Sequence, residues 1–182
     1  MRLFVAAELP DRVFDALCET SAKLRDQVRG RYVAPDSFHV TLAFLGEVPG
    51  SRVSDACAAL DEACMGQIPV KMVLGALGSF GRRRKATLWQ GFAQGVDELA
   101  GIAGDVRETL ATYGFTFDET AFVPHVTLMR AADISEGILP MPCVEQGTID
   151  TISLFSSDLS GQRPRYEALH RVTLEPPEDE IW

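Results

Sequence analysis

His39-Val40-Thr41-Leu42 recurs 86 residues later as His125-Val126-Thr127-Leu128. Shifting the rest of the chain by the same offset tests whether the match is accidental. Residues 3–8, an apolar run that reads as a buried strand, fall on 89–94, which overlaps a second strand-like segment at 87–92. Residues 11–29, whose Val13, Phe14, Leu17, Leu24 and Val28 follow a helical period, fall on 97–115, where Leu99, Ile102, Ala103, Val106 and Leu110 do the same. Chance supplies one repeated tetrapeptide more readily than the same strand and helix upstream of both copies. The chain therefore reads as two similar halves of one domain, about residues 1–86 and 87–182, between which strands can exchange.

Alternation along a strand puts His39 and Thr41 on one face and Phe38, Val40 and Leu42 on the other. The apolar set can enter a core while His and Thr are offered together, about 6.6 to 6.8 Å apart along the strand. The second copy offers His125 and Thr127 in the same way. If the halves pack about a pseudo-twofold axis, two imidazoles and two hydroxyls converge on one cleft. Hydroxyls donate to phosphoryl oxygens, and imidazoles exchange protons near neutral pH. Displacement at phosphorus needs entering and leaving oxygens roughly in line, with one imidazole on each side. This scheme demands neither a nucleophilic side chain nor a metal.

The other elements complete an α+β pattern. A helix opens at Pro10-Asp11 and runs to about Gly30, a strand covers 38–44, and Val53, Ala56, Cys57, Leu60 and Cys64 mark a second helix. A hairpin joins 70–77 to 87–92, and Gly114 ends the helix that begins near Val96. Residues 115–117 and 124–128 read as extended. A connection holding Pro140 and Pro142 leads to a run at 148–155, and the last strand covers 166–174.

The 182 residues are 46% hydrophobic and 24% charged, enough for a real core and too apolar for disorder. No apolar run approaches the roughly 18 to 20 residues of a membrane span, and the opening run stops at Glu8 and Pro10, too short for a signal sequence. A cytoplasmic protein that avoids membranes is expected. Cys18, Cys57, Cys64 and Cys143 form no CxxC pair and read as buried thiols. The net charge of −9 disfavours broad adhesion to a nucleic-acid backbone. Yet Arg82-Arg83-Arg84-Lys85 lies in one loop, Arg163, Arg165 and Arg171 cluster late, and the acidic end holds Glu178-Asp179-Glu180. A local basic rim suits a small or terminal phosphate. There is no GxGxxG after a strand and no GxxxxGK[ST] loop, so no cofactor is expected.

The sequence resembles the bacterial and archaeal RNA 2′,3′-cyclic phosphodiesterases, or 2′-5′ RNA ligase-like proteins, of the two-histidine phosphoesterase superfamily. The resemblance is carried by the opening Met1-Arg2-Leu3-Phe4-Val5-Ala6, the two histidine segments, and Leu154-Phe155-Ser156-Ser157 followed by Tyr166. It implies two pseudo-symmetric lobes with antiparallel sheets facing a central cleft and helices outside. It also implies metal-independent opening of an RNA terminal 2′,3′-cyclic phosphate to a 2′-phosphate, with reverse 2′-5′ ligation accessible. On that pattern His39 is the general acid and His125 the general base, roles that the near-symmetry of the repeat allows to be exchanged. Thr41 and Thr127 hold the non-bridging oxygens, and Arg130 matches an arginine that closes the second motif.

Parity puts Arg130, five residues beyond His125, on the wrong face of an ideal strand, so it needs a bend or bulge to reach the cleft. Phe44 shares parity with Val40 and Leu42 and is expected in the core. Tyr166 is balanced between packing and stacking on a nucleobase, and Met129 leaves the pocket width open. His170, in the last strand, reads as a surface or packing residue. The partners expected are RNA ends or nucleotides carrying a cyclic phosphate, met by a monomer. Two alternatives stay open: a phosphodiesterase of cyclic nucleotides or cyclic ADP-ribose phosphate, and a non-catalytic binder of RNA ends. A His-ligated metallohydrolase is disfavoured because neither motif carries a carboxylate.

Overall fold

A computed structural model describes residues 1–177; Glu178, Asp179 and Glu180 of the acidic end lie outside the described residues. The fold is α+β, with strands β1 (Arg2–Ala7), β2 (Arg29–Tyr32), β3 (Val40–Glu47), β4 (Val70–Phe80), β5 (Ala86–Gln94), β6 (His125–Asp133), β7 (Gln146–Ile149), β8 (Thr151–Asp158) and β9 (Arg165–Thr173). Helices α1 (Asp11–Arg25), α2 (Val53–Cys64) and α3 (Val96–Thr112) connect them. One antiparallel sheet has the order β3-β1-β8-β9 and the other β2-β6-β5-β4-β7. No helix of the described residues is long and apolar enough to cross a membrane.

Helix α3 shows how the local sequence fixes an element. Asp97 and Glu98 occupy its first turn, where the helix dipole favours anions, and Leu99, Ile102, Ala103, Val106 and Leu110 bury one stripe. Gly114 then takes a left-handed φ of 77° and Phe115 N–H donates to Leu110 O at 2.9 Å, closing the helix. The stripes of the helices and the inner faces of the sheets form a continuous core that includes Leu3, Val5, Leu17, Leu24, Val40, Leu42, Leu60, Leu88 and Val126. Each buried Leu contributes about 1.5–3 kcal/mol. Of the four cysteines, Cys64 is buried and the other three are half-buried, all as free thiols.

Several boundaries differ from the sequence expectation. Helix α1 stops at Arg25 rather than near Gly30, because Arg29–Tyr32 instead forms an edge strand on β6. The run at 148–155 is two strands: β7 ends at Ile149 against β4, and β8 starts at Thr151 against β1 and β9. Asp150 carries the chain from one sheet to the other, its carbonyl accepting from Leu174 N–H at 2.7 Å. Residues 115–117 form no strand.

The strands that carry the two motifs are both bulged, at equivalent positions. In the β1–β3 pair, Val5 faces Ala43 while Ala6 faces Thr41, which leaves Leu42 as an extra residue. In the β5–β6 pair, Leu88 faces Met129 while Trp89 faces Thr127, which leaves Leu128 extra. Leu42 and Ala43 are consecutive buried residues, as are Leu128 and Met129. A bulge shifts the parity of everything beyond it. The carbonyls of the extra residues are satisfied from outside their own β1–β3 and β5–β6 ladders: Arg107 Nε–H donates to Leu42 O at 2.9 Å, and Val33 N–H donates to Leu128 O at 2.9 Å.

Candidate active site

Between the sheets lies a cleft of about 460 Å³, within the range of small-molecule sites. His39, Thr41, Phe44 and, from β1, Arg2 and Phe4 line it from one sheet; His125, Thr127, Arg130, Arg31 and Tyr32 line it from the other. Tyr166, on β9 of the first sheet, and Arg163, just before that strand, also line it. All five residues that the sequence analysis placed at the site, His39, His125, Thr41, Thr127 and Arg130, meet in this one cleft.

The bulges decide who else is present. Arg130 reaches the cleft because the extra residue Leu128 restores it to the face of His125 and Thr127. The same device at Leu42 turns Phe44 out of the core and into the cleft, against the expectation from simple alternation. Arg2 lies over the Phe44 ring at 4.7 Å. Met129 is fully buried and lines no part of the cleft, so it does not set the pocket width.

Each histidine is oriented by a carbonyl two residues earlier. His39 Nδ1 is 2.7 Å from Ser37 O, and His125 Nδ1 is 2.5 Å from Val123 O. A carbonyl only accepts, so Nδ1 carries the hydrogen in both rings and Nε2 is left to accept or receive a proton. Thr41 Oγ1 sits 3.0 Å from His39 Nε2. The segment Pro35–Ser37 forms one 3-10 turn before His39, while Pro124 precedes His125, so each imidazole stands at the entry of its strand.

Aromatic rings hold both imidazoles. Phe4 (4.9 Å between centroids) and Tyr166 (5.4 Å, edge-on) wall in His39. Phe80 (5.1 Å, edge-on) and Trp89 (5.6 Å) flank His125. Trp89 lies flat over Gly78, where a Cβ would come within 2.2 Å of the indole, so only glycine fits beneath it. Enclosure disfavours the charged imidazolium. Burial pulls the His39 pKa down to about 4; the Ser37 carbonyl opposes this, and Arg130 and His125 reinforce it. His125 is also lowered, chiefly by burial, against the Val123 carbonyl and with help from Arg130.

Charge in the cleft is opposite to that of the whole chain. Among the described residues Arg2, Arg31, Arg130 and Arg163 line it and no carboxylate does, although the chain carries −9. Such a site concentrates anions. A His/Thr/Arg lining with a guanidinium close to both imidazoles is a poor donor set for a divalent cation and a good one for a phosphoryl group.

A family model described as LigT-like phosphoesterase matches residues 8–89 and 93–166. The chain is a LigT-like phosphoesterase. The Escherichia coli K12 protein named RNA 2′,3′-cyclic phosphodiesterase is 30% identical to this phosphoesterase, over 95% of this chain and 96% of that one. A longer Geobacillus stearothermophilus protein of the same name is 28% identical over 91% of this chain, which spans 55% of its length. The crystal structure of E. coli LigT complexed with 3′-AMP superposes with a TM-score of 0.81 at 30% identity, covering 95% of this chain and 97% of that one.

Sequence reasoning missed two lining arginines of this phosphoesterase. Arg2 shares parity with Phe4 on β1 and was findable once the cleft face of that strand is known. Arg31 was not, because it sits on an edge strand of four residues with no periodic signal of its own. Of the late basic cluster only Arg163 reaches the cleft: Arg171 pairs with Glu8 at 2.8 Å. His170 pairs with Asp61 at 2.7 Å on the surface, as expected.

Proposed function

We propose that this phosphoesterase hydrolyses the 2′,3′-cyclic phosphate at an RNA end to a 2′-phosphomonoester, by acid–base chemistry between two histidines and without a metal ion. The observation that carries the reading is that His39 and His125, both with Nδ1–H committed to a carbonyl, share one arginine-lined cleft. His125 Nε2 takes a proton from water as the water oxygen bonds to phosphorus. The bond from phosphorus to the 3′ oxygen breaks, and His39 Nε2–H protonates that oxygen. Thr41 and Thr127 donate to the non-bridging oxygens, and Arg130 offsets charge that grows on them. Tyr166 and Phe44 offer ring faces to the terminal base.

Burial keeps both imidazoles neutral near pH 7 in the free protein, so the bound anion must raise the His39 pKa until the ring takes up from solvent the proton that it then donates. Run in reverse, the same two groups join a 2′,3′-cyclic end to a 5′ hydroxyl as a 2′-5′ linkage. A cleft of about 460 Å³ holds a mononucleotide, which favours nucleoside 2′,3′-cyclic monophosphates as a second substrate class. The test is hydrolysis of a cyclic-phosphate-ended oligonucleotide in excess chelator, with the product resolved as 2′- or 3′-phosphate. The 2′-phosphate is expected; a 3′-phosphate, or loss of turnover with chelator, overturns the scheme.

A further inference from the structure

The β4–β5 hairpin carries features that the chemistry at the phosphorus does not use. Phe80, the last residue of β4, is 42% exposed and yet stands edge-on to His125 at 5.1 Å and tilted over Trp89 at 5.1 Å. A large ring exposed beside the reacting histidine and backed by a fixed indole is a stacking platform. Gly81 follows it, and then Arg82, Arg83, Arg84 and Lys85, all exposed. None of these four cations forms a salt bridge among the described residues. In a chain of net charge −9, four adjacent cations with no close salt bridge among the described residues are a local exception.

The turn is also held in place. Lys85 N–H donates to Arg82 O at 2.8 Å, Ile134 N–H donates to Arg83 O at 2.7 Å, and the Arg83 guanidinium reaches Ile134 O at 3.3 Å. A fixed arm loses less freedom on binding than a mobile one. Arg84 and Arg29 face Asp133 at the end of β6, whose carboxyl is held below its usual range first by Ser135 and then by these two arginines. Cations therefore continue from Arg130 and Arg31 in the cleft, past the end of β6, to the hairpin turn.

We propose that the β4–β5 hairpin is a binding arm for the single-stranded RNA upstream of the cyclic end, Phe80 stacking on a base and Arg82, Arg84 and Lys85 holding backbone phosphates. This rests on the cyclic-phosphodiesterase reading and makes its preferred substrate a polynucleotide. Backbone phosphates give such binding a strong salt dependence and little sequence preference. A cyclic mononucleotide fills the cleft but cannot touch the arm.

The test compares R82Q/R84Q/K85Q with the unaltered protein on two substrates, a cyclic-phosphate-ended octanucleotide and a nucleoside 2′,3′-cyclic monophosphate. Arg83 is kept because it fixes the turn. The selectivity ratio, kcat/KM for the octanucleotide over that for the mononucleotide, is expected to fall about tenfold through KM, and the slope of log kcat/KM against log salt to flatten by about 2, from about 0.7 per charge on a single strand. An unchanged ratio, or equal losses on both substrates, overturns the arm. If the unaltered protein hydrolyses neither substrate, the cyclic-phosphodiesterase reading fails instead, so the two failures are distinct.

Discussion

Phe44 and Arg130 are counterparts: each lies five residues beyond its motif histidine, and each is turned into the cleft by a bulge at the equivalent leucine, Leu42 or Leu128. One repeat thus contributes an aromatic ring and the other a guanidinium at the same structural position. The duplication is symmetric in its histidines and threonines and asymmetric one step further on. In the proposed reaction that asymmetry places the terminal base on the Phe44 side and the phosphate on the Arg130 side.

Arg130→Met is expected to lower kcat/KM about 10²–10³-fold, the usual cost of removing a donor from developing charge. Because the guanidinium depresses both imidazole pKa values, its loss is also expected to move the alkaline limb of the pH profile upward. Steady-state rates from pH 5 to 9 check both; a limb that moves down, or an unchanged rate, contradicts the placement.

How much of this was legible in the sequence depends on what set each feature. The repeat, the strand and helix order and the two His-x-Thr pairs follow from local periodicity, which the chain states directly. Phe44 was misread because alternation assumes an unbroken ladder, and the bulge at Leu42 is fixed by β1 and by the Arg107 bond from α3, far along the chain. For Arg130 the need for a bulge was legible, and its position was not. Arg31 and the break at Asp150 depend on which strand pairs with which, a tertiary fact that periodicity does not encode.

Arg107→Ala leaves the buried Leu42 carbonyl without its charged donor. Such a loss is expected to cost about 1.5–3 kcal/mol, read from urea unfolding, and to raise KM by loosening the turn that presents Phe44. Stability unchanged within about 0.5 kcal/mol would show that the bulge does not depend on this bond.

The pH profile follows from the two imidazoles. The proposed reaction starts with His39 protonated and His125 neutral, while in the free protein His39 lies at about 4 and His125 is also lowered. Raising the pH above both values removes the proton that His39 donates, so kcat/KM is expected to fall about tenfold per pH unit above 6.5. Bound phosphate favours the imidazolium, which places the corresponding limb of kcat at higher pH. A flat kcat/KM from pH 5 to 8 contradicts the pair.

His39→Ala and His125→Ala are each expected to lower kcat by about 10²–10⁴ while calorimetry still detects inorganic phosphate, held by the remaining threonines and arginines. Hydrolysis surviving in either variant at near the unaltered rate removes that histidine from the chemistry.

The most direct measurement is a phosphate titration of protein labelled with 15N in its imidazoles. If one phosphate sits between the two rings, Nε2 of His39 and of His125 shift together along a single saturation curve. Shifts confined to one ring, or two curves with different midpoints, would mean that the histidines serve separate sites.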